Sequence, residues 1–124
     1  MVQQVGIFLQ NLIRIDEKSS FIGNYSGLVD LELYGNFEGC LRVKSLYIKK
    51  SGVFTGYLTA DNIEVEGKLN ADIETEKLHL KSTGIVDGDV FYRNIIIESG
   101  GLLKSNMVQN ISKMKVLKQL KKII

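Results

Sequence analysis

The sequence predicts an all-β protein: a right-handed parallel β-helix (a β-solenoid) of about six coils, followed by a C-terminal amphipathic helix. Three observations predict it. Two apolar patterns recur about every 16 residues along the chain. A small residue, usually glycine, marks the centre of one of them. And 124 residues contain no proline, where average usage would give roughly six.

The first pattern is a pair of apolar residues separated by one. It appears as Ile13/Ile15, Leu31/Leu33, Leu46/Ile48, Ile63/Val65, Leu78/Leu80 and Ile95/Ile97, in steps of 18, 15, 17, 15 and 17. The second reads apolar-x-small-x-apolar: Phe21-Gly23-Tyr25, Phe37-Gly39-Leu41, Phe54-Gly56-Leu58, Leu69-Ala71-Ile73, Val86-Gly88-Val90 and Leu103-Ser105-Met107, in steps of 16, 17, 15, 17 and 17. Repetition at a near-constant period marks a stacked architecture. The period of 2 inside each unit makes both units strands with alternate residues inward. A coil of about 16 residues holds two or three such strands, and stacking coils pairs each strand in parallel with its copy in the next.

The central glycine lies on the inward side of its strand, between two large apolar residues, where the backbone bends and a side chain does not fit. Ser51-Gly52 and Thr83-Gly84 lie 32 residues apart, as do Gly35 and Gly67. Alternate coils therefore differ by a two-residue turn, which yields the 15/17 alternation. Glu98-Ser99-Gly100-Gly101 breaks it in the last coil. Parallel crossovers are right-handed in nearly all cases, and the steps of 15 and 17 do not fit the strict sixfold multiple of left-handed hexapeptide helices. The missing prolines agree: in such a stack nearly every strand is central, and proline would delete a ladder hydrogen bond.

Net charge is +2, but residues 106–124 carry five lysines and no acid, which leaves a net of −3 on residues 1–105. The body lacks the basic face of a nucleic-acid binder. No apolar run reaches the length of a spanning helix, and no secretory signal is visible. The single Cys40 suits a reducing compartment. These features give a cytoplasmic expectation.

Alternation places His79 and Cys40 outward, as ordinary surface residues. There is no Ser-His-Asp set, no metal-ligand spacing and no phosphate-binding glycine loop, so no catalytic residue, metal or cofactor is expected. Asn70 and Asp72 should stack beside Asp87 and Asp89. This group reads as a solvated acidic stripe eased by Lys68 or Lys104, with a bridging cation as the sharper alternative. Ile96 is an apolar residue in the outward series Glu32, Tyr47, Glu64, His79, Ile96, and it is expected under a terminal segment or in a contact with another molecule.

The chain divides into an apolar segment 1–12, a β-helix 13–107 and a basic tail 108–124. The terminal coils should expose strand edges and an open apolar core: Ile13, Ile15 and Phe21 at the near end, Ile95, Ile97, Leu102 and Leu103 at the far end. Neither end offers a polar cap, so end-to-end self-assembly follows. Segment 1–12 has no charge, and Val5, Ile7, Phe8 and Leu9 are its membrane-contact candidates; covering the first coil is the alternative. The tail places Ile111, Met114 and Leu117 on one face of a helix and Lys118, Lys121 and Lys122 among its polar residues. It caps or folds back over the body, binds an anionic membrane or docks on a protein partner.

Several stretches resemble the bactofilins: Phe21-Ile22-Gly23, Asp30-Leu31-Glu32-Leu33-Tyr34-Gly35-Asn36-Phe37-Glu38-Gly39-Cys40-Leu41, Ile63-Glu64-Val65-Glu66-Gly67 and Gly84-Ile85-Val86-Asp87-Gly88-Asp89-Val90. The match covers about residues 19–107. The resemblance implies a right-handed β-helix that polymerises without nucleotide into non-polar filaments by joining like ends. It implies a bacterial cytoskeletal scaffold, often at the inner face of the cell membrane, that positions cell-wall or morphogenesis proteins. That family often has proline-containing tails, and this chain has a basic amphipathic one instead.

The function expected is therefore a non-enzymatic, self-assembling scaffold. The alternative is a non-polymerising β-helix adaptor that binds a protein partner through its C-terminal helix. A solenoid acyltransferase would need the hexapeptide period, and a polysaccharide-active β-helix would need longer loops than these.

Overall fold

The computed structural model describes residues 12–109. The candidate membrane residues Val5, Ile7, Phe8 and Leu9, and the expected tail helix with Ile111, Met114, Leu117, Lys118, Lys121 and Lys122, lie outside them.

Eight strands follow one another with no helix among the described residues: β1 (Leu12–Ile15), β2 (Ser20–Ser26), β3 (Asp30–Leu33), β4 (Asn36–Ile48), β5 (Val53–Val65), β6 (Lys68–Leu80), β7 (Ile85–Ile97) and β8 (Leu102–Gln109). All pair in parallel. One side of the solenoid is the ladder Ile13, Leu31, Leu46, Ile63, Leu78, Ile95. Another is Phe21, Phe37, Phe54, Leu69, Val86, Leu103. Each ladder takes five register steps, so the chain winds through about five turns as a parallel β-solenoid. β8 extends over Val108 and Gln109, where the sequence expects the tail to begin.

The long strands β4 to β7 each turn a corner without ending. The ladder skips one residue there, at Lys44 and Asp61, at Asp61 and Glu76, and at Glu76 and Arg93. The residue before each skip points in: Val43, Ala60 and Thr75 are buried and Tyr92 half-buried. Thr75 is the polar member of this set, and its hydroxyl lies 3.2 Å from the Asp61 carbonyl and 3.1 Å from that of Lys77. It is therefore satisfied without water.

The other bends explain the step alternation. Asp16–Ser19, Lys49–Gly52, Lys81–Gly84 and Glu98–Gly101 are four-residue turns, each closed by a backbone bond from its last N–H to its first carbonyl. Tyr34-Gly35 and Glu66-Gly67 are two-residue turns between strands. Ser51 donates its hydroxyl to the Tyr34 carbonyl at 2.7 Å and Thr83 to the Glu66 carbonyl at 2.8 Å. The long turns Lys49–Gly52 and Lys81–Gly84 are thus each tied to the short turn beneath them.

The core is the inward set of these ladders. From Leu31 to Val90 its apolar residues are all at most 5% exposed. Phe21, Phe37 and Phe54 stack ring on ring, with centroids 4.7 and 5.2 Å apart.

Candidate assembly surfaces

At the two ends the core is open among the described residues. Interior members of each ladder are almost wholly buried, whereas Ile13, Ile15, Ile95 and Leu103 are only partly buried. Phe21 is 39% exposed and Ile97 is 48% exposed. The backbone is equally unfinished. β1 pairs only with β3 and β2 only with β4, while β8 pairs only with β7 among the described residues. An open row of parallel-strand donors and acceptors beside an apolar patch is a template for another strand.

The structure thus gathers Ile13, Ile15 and Phe21 at one end and Ile95, Ile97 and Leu103 at the other. Leu102 belongs with the far end but differs in direction. It continues the column Asn36, Val53, Lys68, Ile85, next to the inward Leu103, and is 44% exposed on the outer face.

Three more exposed apolar residues join the near end: Leu12, Ile22 and Leu28. Ile22 heads a column whose other members are Glu38, Thr55, Asn70, Asp87 and Lys104. Leu12 likewise heads Asp30, Ser45, Asn62, Lys77 and Asn94. An apolar residue in an otherwise polar column is the sequence signal that finds both. Leu28 sits in the corner between Gly27, which donates to the Arg42 carbonyl, and Val29, which accepts from Lys44. It is 85% exposed. Ile96, 45% exposed, ends its outward column at the far end.

His79 points outward, as alternation requires, and is half-buried against the turn that leads into β8. Its Nε2 lies 2.8 Å from Glu98 Oε2, and Lys81 Nζ lies 3.5 Å from the same oxygen. The hydrogen bond from His79 holds the Glu98 carboxyl below its ordinary range; burial opposes it, and the charge of Lys81 adds to the lowering. A lowered carboxylate stabilises the fold above its unfolded value, and that contribution is lost as pH falls through the folded one. A carboxyl NMR titration should place the Glu98 midpoint below the usual glutamate range, and His79→Ala should bring it back up. A midpoint unmoved by that substitution would contradict the pairing.

The acidic stripe is as exposed as expected. Asn70 is opposite Asp87, which is itself opposite Lys104. Among the described residues no group of three or more His, Cys, Asp or Glu side chains is placed to hold a metal ion. Cys40 is exposed, and its backbone N–H donates to Asn24 Oδ1 at 3.3 Å.

The described residues form a parallel β-solenoid, a class of protein in which each coil contacts its neighbours along one axis, with the apolar core open at both described ends. The chain matches the bactofilin family, described as polymer-forming cytoskeletal, over residues 13–108. It belongs to that family. No curated protein and no solved structure matches it.

Proposed function

We propose that this protein is a non-enzymatic cytoskeletal scaffold that polymerises end to end without nucleotide. The observation that carries the reading is the contrast along each core ladder: at most 5% exposure inside, and partly or largely exposed apolar side chains at Ile13, Ile15, Phe21, Ile95, Ile97 and Leu103. Stacking a second copy buries this surface and satisfies the strand edges in the same step, with no need for a bound nucleotide to drive it. Leu102, Ile22 and Leu12 widen the contact.

In this reading the winding is right-handed, as parallel crossovers generally are. Six coils form the rod and the tail beyond β8 is helical. The uncharged segment 1–12, through Val5, Ile7, Phe8 and Leu9, rests on the inner face of the cell membrane. There the polymer positions cell-wall or morphogenesis proteins. Purified full-length protein should form filaments in the electron microscope above a critical concentration, with no nucleotide added. A protein that stays monomeric across a wide range of concentration and salt would overturn the proposal.

A further inference from the structure

The flank of the solenoid just past the glycine column is concave. Three adjoining depressions of about 520, 300 and 480 Å³ run along it, sharing Tyr57, Thr59 and Glu74 among their walls. The groove follows the solenoid axis, because its walls run from coil to coil: Asn24, Cys40, Tyr57 and Asp72 in one column and Ser26, Arg42, Thr59, Glu74 and Phe91 in the next, with Asp89 lining the same depression as Asp72. Four acids, Asp61, Asp72, Glu74 and Asp89, line it, against two bases, Arg42 and Lys44, which lie toward the near end. Tyr57, 61% exposed, and Phe91, half-buried two coils further on, line the same depression. The groove is acidic and aromatic together.

The chain supplies a segment of opposite character. Residues 110–124 hold five lysines, no acid, and apolar residues every three or four positions. The described chain reaches this flank at its end: Val108 is the register partner of Phe91, and β8 is described to Gln109. The lengths also agree. The four strand spacings from Asn24 to Phe91 make a groove of roughly 19 Å, and 15 residues of α-helix span about 22 Å.

We propose that the basic segment 110–124 lies along this groove of its own chain, lysines toward Asp72, Glu74 and Asp89 and apolar residues against Tyr57 and Phe91. Tethering at the groove's mouth gives the segment an effective concentration on the order of millimolar, which favours it over a free peptide of the same kind. Docked there, the tail covers one flank of the rod and is withheld from membranes. The inference concerns a flank, so it holds whether or not copies stack at their ends.

Cys40, the only native thiol, lies in this groove four strand spacings from Asn106, roughly 19 Å. A helix leaving Gln109 reaches that depth after about 13 residues, near Lys121. In the full chain, Lys121→Cys should therefore form a disulfide with Cys40 within one molecule under mild oxidation, and Lys113→Cys should not. Asp72→Lys with Glu74→Lys, both on the groove wall, should slow that crosslink several-fold, as should high salt. Four results would overturn the proposal: no crosslink, crosslinks only between chains, equal crosslinking from positions 113 and 121, or a tail that leaves Cys40 unprotected while carrying the protein to phosphatidylglycerol vesicles.

Discussion

Replacing Gly56 by alanine should lower stability by about 2 to 4 kcal/mol, a drop of more than roughly 10 °C in melting temperature for a domain of this size. Gly56 has φ = +133°, and an added Cβ would run into the backbone carbonyl of Gly39 in the next coil. A neighbouring strand's carbonyl cannot swing aside as a long side chain could. Gly39 stands in the same relation to Gly23, so the column is a continuous close approach of backbones. Ala71 shows how the fold takes a Cβ in this column: among the described residues no non-glycine residue has positive φ, and the β6–β7 ladder skips the pairs between Asn70–Asp87 and Ile73–Val90. Ala71→Gly should accordingly cost no more than about 1 kcal/mol. Thermal unfolding at matched protein concentration checks both, and a Gly56→Ala loss below about 1 kcal/mol would show that the coils can part there freely.

Phe54→Ala should cost about 3 to 5 kcal/mol. The ring is fully buried, with Phe37 stacked on one face at 5.2 Å and Leu69 beside it in register on the other. Strands above and below are held by their own ladders, so the site cannot collapse to fill the void. Phe21→Ala removes the same kind of ring from the end of the same stack, where it is already 39% exposed. Its stability cost should be a fraction of that at Phe54, while its effect on assembly should be larger. Chemical denaturation separates the two from a sedimentation assay, and equal stability losses at 21 and 54 would contradict the open end.

The ladders were legible in the sequence because two constraints repeat together. Inward alternation names the apolar partners, and the glycine column aligns them, so Phe21, Phe37, Phe54, Leu69, Val86 and Leu103 stack as their spacing requires. The turns were legible too, since Ser51-Gly52 and Thr83-Gly84 recur at 32 residues. What spacing alone does not reveal is which corner absorbs an irregular step. The 18 residues from Ile13 to Leu31 place their extra length at Gly27-Leu28-Val29, and that pushes Leu28 outward. Nor does alternation show contacts between a turn and the coil beside it. His79 reads as a bare surface residue until Glu98, 19 positions away, is seen to meet it. Leu102 reads as part of the last apolar coil, but its neighbour Leu103 takes the inward place.

The groove was hidden for a related reason. Its two walls are columns drawn from every coil, so no single stretch of sequence shows acids, Tyr57 and Phe91 together. The acids 72 and 89 were visible as a stripe, and only the concavity next to the glycine column makes them a wall.

The central claim is that the open apolar ends carry assembly. The direct test is to pellet wild-type protein, Ile97→Arg and Thr55→Arg side by side, without nucleotide, and image each. Thr55 is exposed mid-rod on the outer face and controls for added charge. Wild type and Thr55→Arg should give filaments above the same critical concentration, while Ile97→Arg, with an unchanged circular dichroism spectrum, should stop at species no larger than a dimer. Filaments of Ile97→Arg at the wild-type critical concentration would contradict the account.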